Sequence, residues 1–225
     1  MALIKSLSVK EIIKKINNYE TFEAISIESS FHIKIREYIP FVSAAIHAGN
    51  KLRHNLKDKI IHTSYERWYE EDPHTDTFIS SMPLTIVGLD SRFEYDLNRS
   101  PENCVYKDAW GKEVWKKPLS KALIKESLQK HTDFYKVIDV LIEAIEKKFN
   151  GCIVYDMHSY NYIRHKKDLP IFNLGTENVN QKKFKKVIDY WVKGLESIKI
   201  RSIENTTEVN GPFQGNGYFL IHISK

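Results

Sequence analysis

Two histidines, several carboxylates and two arginines lie at the ends of three short apolar segments, a mixture that suits hydrolysis of an anionic substrate at a metal. The first site segment is Ile46-His47-Ala48-Gly49, closing the run that begins at Val42. The second is DSRFEYDLNR, Asp90 to Arg99, which follows Leu84 to Leu89. The third is YDMHSY, Tyr155 to Tyr160, which follows Cys152 to Val154. In an open α/β sheet ligands bind beyond the carboxyl ends of the strands, so three such segments would aim their side chains into one crevice. Small residues after His47 let a metal or ligand approach the backbone; taken alone, a histidine there serves as readily to hydrogen-bond a neighbouring loop. Alternation along a strand puts Asp156 and His158 on one face, where the carboxylate orients the imidazole and leaves its other nitrogen free for a cation. A catalytic zinc commonly takes three protein ligands and a water, and the acidic break around Glu70, Glu71, Asp72 and Asp76 offers the third. Asp72, directly before Pro73, is our choice, with Glu71 and Asp76 behind it. Arg92 and Arg99 carry forked donors that match a carboxylate bidentately, and Asn98 adds a neutral donor. A surface ladder of salt bridges is the plainer reading of that run, but its place directly after an apolar strand argues against it.

The elements that must position these residues are legible in part. Ser8 and Glu11 form a capping box ahead of Val9, Ile12, Ile13 and Ile16, which predicts a first helix. Residues 21–30 and 33–35 read as strands, and 41–46 as a central strand buried on both faces. Residues 52–68 are helical in part, and 75–81 open a short helix. Residues 83–89 form the next strand. Residues 99–118, with Trp110 and Trp115, read as a long ordered loop walling a pocket. Thr132 is expected to cap the strongest helix, whose stripe runs through Phe134, Val137, Ile138, Leu141, Ile142, Ile145 and Phe149, with Asn150-Gly151 as its stop. Residues 180–198 repeat a helical pattern, and Tyr218 to Ile223 read as a closing strand. Alternation of helices and strands predicts one α/β domain over residues 1–225, three-layered, with a central mixed, mostly parallel sheet flanked by helices.

Bulk properties narrow the partners. Net charge is +5, from 34 Lys and Arg against 29 Asp and Glu. Much of that excess sits in Lys166, Lys167, Lys182, Lys183, Lys185 and Lys186, which read as solvated faces rather than a nucleic-acid surface. No run of about 18 apolar residues suggests a membrane span, and residues 1–10 lack the apolar stretch of a signal peptide. Two cysteines, Cys104 and Cys152, make no disulfide framework, so a reducing cytoplasm is the expected compartment. Large aromatics such as Trp68, Trp110, Trp115 and Trp191 are expected mainly in the core. Nothing fixes the oligomeric state.

Taken together, DSRFEYDLNR, YDMHS and the glycine-containing stretch from Asn210 to Tyr218 resemble the N-formylglutamate amidohydrolase family, from about Pro40 to Lys225. That family is similar in fold to zinc carboxypeptidases and aspartoacylase-type deacylases, and the Asp-Leu-Asn-Arg element resembles the one with which carboxypeptidases hold a substrate carboxylate. The resemblance implies a Zn2+ hydrolase that removes a formyl or related acyl group from an acidic N-acyl amino acid such as N-formylglutamate. It makes His47, His158 and Asp72 (or Glu71) metal ligands, and Asn98 and Arg99 a clamp on the substrate carboxylate. Arg92 would polarise the scissile carbonyl or hold a second carboxylate. Ser159 joins the substrate-binding set, and Asp96, like Asp156, supports a ligand from behind. Two departures stand out. The family's Pro-His-Ser-Gly is Ile46-His47-Ala48-Gly49 here. Related hydrolases carry a general-base glutamate after the glycine-containing segment, yet none follows Phe219, so the chain either lacks that piece or draws its base from elsewhere; Glu208 is the nearest candidate. Two other readings stay open: a carboxypeptidase-like metallopeptidase, and a non-catalytic anion-binding or regulatory protein on the same fold.

Overall fold

The structure, a computed structural model, describes residues 4–161 and 169–224. Lys166 and Lys167 lie outside the described residues. The chain separates into two compact units, Met1–Tyr160 and Asn161–Lys225, and each is taken by itself.

The first unit runs β1 (Lys5–Leu7), α1 (Val9–Asn17), β2 (Phe22–Ser26), β3 (Phe31–Ile35), β4 (Phe41–Ala45), α2 (His54–Lys57), α3 (Ser64–Glu70), α4 (Thr75–Phe78), β5 (Leu84–Gly88), β6 (Asp108–Ala109), β7 (Lys112–Glu113), α5 (Lys121–Phe149) and β8 (Ile153–Asp156). Six of its strands form a sheet in the order β1-β2-β3-β5-β4-β8. The pairs β1/β2, β4/β5 and β4/β8 are parallel, while β2/β3 and β3/β5 are antiparallel. The sheet is therefore mixed, as the alternation of elements implied. β4 lies between β5 and β8, and all three run the same way, so the segments that follow them emerge from one end of the sheet. Every residue of β5 is buried, as is β4 after Phe41, which is why both read as largely apolar runs, broken only by the small hydroxyls of Ser43 and Thr85.

Helix α1 starts where the capping box predicted: Ser8 Oγ accepts from the Glu11 amide, and the Glu11 carboxylate accepts from the Ser8 amide at 2.8 Å. Helix α5 departs from expectation. It begins at Lys121 with Ser120 as its cap, one turn after another ahead of Thr132. Thr132 is mid-helix, where its hydroxyl donates to the Leu128 carbonyl at 2.8 Å instead of capping anything. The apolar stripe from Phe134 to Ile145 is buried, and the Phe134 ring meets the Phe31 ring of β3 edge-on at 5.8 Å. Phe149 is partly exposed, and Asn150 ends the helix in the left-handed conformation. The 99–118 stretch carries the small β6–β7 hairpin, which turns through Trp110 and Gly111 at positive φ. Trp115 is buried, whereas Trp68 and Trp110 are exposed, against the expectation that these rings serve the core.

The second unit runs β9 (Phe172–Leu174), α6 (Lys185–Glu196), β10 (Thr207–Val209) and α7 (Tyr218–Ile223), with β9 and β10 paired in parallel. Residues 218–223 are thus a helix and not a closing strand. Six residues are too few for periodicity to separate the two, and Gly217 is its N-cap. Among the described residues, no helix is long and apolar enough to cross a membrane.

Candidate metal centre

Backbone bonds place the site before any side chain acts. Met157 N donates to Ala44 O at 2.8 Å, extending the β4/β8 ladder to the residue before His158. Asp72 N donates to His47 O at 3.1 Å, which ties the end of the acidic break to the loop after β4. Lys51 N donates to Leu89 O at 3.2 Å and Ser91 N to Lys51 O at 2.7 Å, which lock the loops after β4 and β5 together. Gly49 belongs to that lock: a Cβ there would overlap the Leu89 carbonyl. Its smallness serves loop packing, not the approach of a metal that the sequence suggested.

These constraints bring His47, Asp72 and His158 together, with one potential ligand atom from each lying within 4.8 Å of the others. The two imidazole rings stand 5.0 Å apart at 65°. His158 Nδ1 is 2.7 Å from Asp72 Oδ2, and His47 Nδ1 is 3.5 Å from the same oxygen. The outer nitrogens are held by other carboxylates: His47 Nε2 by Asp96 Oδ1 and His158 Nε2 by Asp156 Oδ2, each at 2.7 Å. His47 and Asp96 are buried, while a third of the His158 side chain reaches the surface.

Asp96 is the most heavily engaged group. Its Oδ1 also accepts from Asn98 N at 2.7 Å, and its Oδ2 accepts from Arg92 Nη2 at 2.7 Å, Arg92 Nε at 3.2 Å and the Tyr106 hydroxyl. Burial works against its charge, but Arg92 and His47 outweigh it and hold the carboxyl well below its ordinary value. Asp72 is lowered in the same way, its burial overcome by His158 and His47. Burial also opposes a charged His158, yet Asp156 and Asp72 carry its pKa up to about 10.

A divalent cation fits this arrangement on two counts. The buried His47 Nδ1 has no hydrogen-bond partner among the described residues, an expensive vacancy for a polar atom unless it has a further role. Of the three carboxylates on the imidazoles, Asp72, Asp96 and Asp156, only Asp96 is paired with a guanidinium, Arg92, so the charges of Asp72 and Asp156 stand over while both imidazoles are neutral. A proton on His158 answers part of that excess, and a metal competes with that proton.

The remaining residues singled out from sequence are placed as follows. Glu71 accepts from the Ser91 hydroxyl and from Arg67 at 3.3 Å, and Asp76 is exposed on α4, so neither joins the cluster. Arg92 donates to the Glu70 carbonyl at 3.3 Å besides Asp96, and lies 5.2 Å over the Trp110 ring. Arg99 is exposed; its backbone carbonyl faces His131 Nε2 at 3.0 Å, and its guanidinium has no ion pair or hydrogen bond among the described residues. Ser159 follows His158 in the loop after β8. Glu208 lies on β10 of the second unit, in register with Asn173. The sequence places Trp110 on a loop walling the pocket but does not single out Tyr106, nor His131 and Tyr135 of α5, which bond the backbone of the Asp-Leu-Asn-Arg element at Arg99 O and Leu97 O. Only the helical stripe signalled the α5 pair, and nothing signalled Tyr106.

What the fold and cluster define is an α/β protein whose ionisable groups converge at the carboxyl ends of adjacent parallel strands. The family model for N-formylglutamate amidohydrolase matches residues 39–225, and the chain belongs to that family. Among solved structures it is similar to the gene product Atu2144 from Agrobacterium tumefaciens, at 14% identity over 82% of this chain and 74% of that one, with a TM-score of 0.59. That likeness speaks for the fold alone. No curated protein matches the chain.

Proposed function

We propose that this amidohydrolase-family chain is a metal-dependent enzyme that removes a formyl or related acyl group from an acidic N-acyl amino acid such as N-formylglutamate. One observation carries the reading. The buried Nδ1 of His47 is left without a hydrogen bond beside Asp72 and His158, while carboxylates hold both imidazoles from behind. His47, Asp72 and His158 would hold the ion, and two imidazoles with a carboxylate suit zinc, with iron, manganese or cobalt as chemically related occupants. Bound there, the ion supplies Lewis acidity and lowers the pKa of a water toward neutrality.

The chain's own groups supply the rest. Asp96 and Asp156 fix which nitrogen of each imidazole faces inward. Arg92, braced by Asp96 and stacked on Trp110, is assigned to the acyl carbonyl, whose developing negative charge its spare N–H groups would stabilise. Arg99 and Asn98 are assigned to the substrate carboxylate, for which a forked guanidinium is the matching donor. Ser159 is assigned as a further substrate contact. Glu208 is assigned as proton acceptor on sequence grounds. Elemental analysis of the purified protein, alongside formate release from N-formylglutamate, tests the reading. Near-stoichiometric zinc in the parent, lost in both His47→Ala and His158→Ala together with formate release, is expected. Equal metal in all three proteins would remove the ligand assignment, and stoichiometric zinc without turnover of any N-acyl amino acid would point to a non-catalytic anion-binding protein.

A further inference from the structure

The stretch from Asp96 to Arg99 is a turn outside the sheet, and the bonds that hold it decide where Asn98 and Arg99 stand. Within the turn, Arg99 N donates to Asp96 O at 3.1 Å and Asn98 N to Asp96 Oδ1 at 2.7 Å. Asp96 also meets His47, so one end of the turn is tied to the metal cluster. The other end is tied to α5. The Tyr135 hydroxyl donates to Leu97 O at 2.5 Å, and His131 Nε2 donates to Arg99 O at 3.0 Å. A carbonyl only accepts, so His131 carries a proton on Nε2. The two residues lie one turn apart on one face of the helix, both are buried, and their rings are 4.7 Å apart. The carbonyls they take bracket the Asn98–Arg99 pair. Lys130, beside His131, takes the Asp90 and Glu94 carboxylates, so one stretch of α5 grips the run near both of its ends.

We propose that His131 and Tyr135 are positioning residues for substrate binding, which hold the Asn98–Arg99 pair at a fixed place relative to the metal cluster. This role rests on the assignment of Asn98 and Arg99 to the substrate carboxylate. Arg99 makes the dependence sharp. Its side chain is exposed and has no ion pair or hydrogen bond among the described residues, so its backbone alone sets where the fork begins. A forked donor is directional, and a displaced binding group loses effect steeply. Water would satisfy the same two carbonyls, but donors carried by rings on one helix also fix them in space. Helix α5 is suited to that task. Phe134, between the two residues, meets Phe31 of β3 edge-on at 5.8 Å. The clamp is thereby referenced to the same sheet whose strands β4 and β8 lead into His47 and His158.

Titration of the full chain with glutarate in a calorimeter tests this, with steady-state kinetics on N-formylglutamate beside it. Tyr135→Phe and His131→Leu each remove one donor. Both are expected to weaken glutarate binding about tenfold and to raise KM by a larger factor than they lower kcat, with zinc content per folded molecule as in the parent. His131→Gln, whose amide can donate in place of Nε2, should recover most of the affinity. Tyr135→Phe removes a single oxygen and keeps the test open should His131→Leu fail to fold. Arg99→Ala separates the role from the assignment beneath it. Glutarate binding lost in Arg99→Ala but kept in Tyr135→Phe and His131→Leu would overturn the positioning role and leave the clamp. Binding indifferent to Arg99→Ala would overturn both. Equal losses in His131→Gln and His131→Leu, or affinities that simply follow the unfolding midpoint across the variants, would reduce the pair to parts of the fold and overturn the proposal. The calorimetric arm needs no turnover, so it stands apart from hydrolytic activity.

Discussion

The two faces of the run from Asp90 to Arg99 use the same kinds of side chain to opposite ends. On one face Asp90 and Glu94 meet permanent cations: Lys130 Nζ lies 3.0 Å from Asp90 and 3.1 Å from Glu94, and Arg53 Nη1 lies 3.0 Å from Glu94. Every charge there is answered within the protein, and the result is an anchor between the loop, α5 and the segment before α2. On the other face Asp96 meets Arg92 and His47, and the histidine passes the carboxylate's influence on to an unpartnered nitrogen. The partner therefore decides the role. A lysine or arginine ends the chain of interactions, whereas an imidazole has a second nitrogen with which to continue it.

That contrast can be broken or sharpened, beginning with the anchor. Glu94→Ala removes the carboxylate that Lys130 and Arg53 share, leaving them Asp90 and the more exposed Glu126, and is expected to cost about 1–3 kcal/mol of stability, read as a fall in the midpoint of denaturant unfolding, with zinc content per folded molecule unchanged. Asp96→Asn should instead weaken metal binding by about 10- to 100-fold in a chelator competition, with a smaller loss of stability than Glu94→Ala. Both effects appearing equally in both variants would erase the distinction between the faces. Acid unfolding of the metal-free protein compares the two aspartates directly. Burial pushes the Asp90 carboxyl up, beyond what Lys130 recovers, while Arg92 and His47 hold Asp96 down. A lowered carboxyl stabilises the fold above its unfolded pKa of about 3.9 and loses that contribution as pH falls through the lower folded value. A raised one does the reverse, and acidification toward about 3.9 relieves its penalty. Asp96→Asn should thus flatten the loss of stability below about pH 4, and Asp90→Asn should steepen the decline on the way down from neutrality; identical slopes in parent and variants would contradict both signs.

Two smaller effects probe the exposed edge of the run. Arg99→Lys is expected to raise KM for N-formylglutamate about tenfold with kcat nearly unchanged, because a lysine cannot reproduce the fork. Unchanged KM would take Arg99 out of the clamp. Trp110→Leu removes the ring beneath Arg92 and should cost about 0.5–1 kcal/mol of transition-state stabilisation, seen as a several-fold drop in kcat/KM; no change would leave Trp110 as loop structure only.

How much of this was readable from the chain follows from where the information is stored. The strands that carry the site could be found because burial on both faces leaves runs at 42–46 and 84–89 without a charged residue. His47, Asp72, Asp156 and His158 could be named because each lies within three residues of a strand or helix end, and Asp96 because it belongs to the Asp-Leu-Asn-Arg element. The sequence ranks Asp72 ahead of Glu71 by its place before Pro73, but the physical reason lies in the coordinates, where the two neighbours point to different partners. Arg67 with Ser91 takes one, and the two histidines take the other. Tyr106 and Trp110 sit in a stretch without period, and only folding brings them onto Arg92 and Asp96. The first turns of α5 escaped notice because residues 121–130 are mostly polar. Lys130, their contribution to the anchor, is a half-buried charge that no apolar count detects.

Gly49 sets a limit on how the metal loop could be redesigned. With no room for even a methyl group against Leu89, the stretch bearing His47 and the stretch bearing Arg92 to Arg99 travel as a single piece. A library that varies residues around His47 while holding position 49 fixed keeps the ligand and the clamp in step. One that lets position 49 vary would push them apart, and the damage would appear in substrate grip as much as in metal retention.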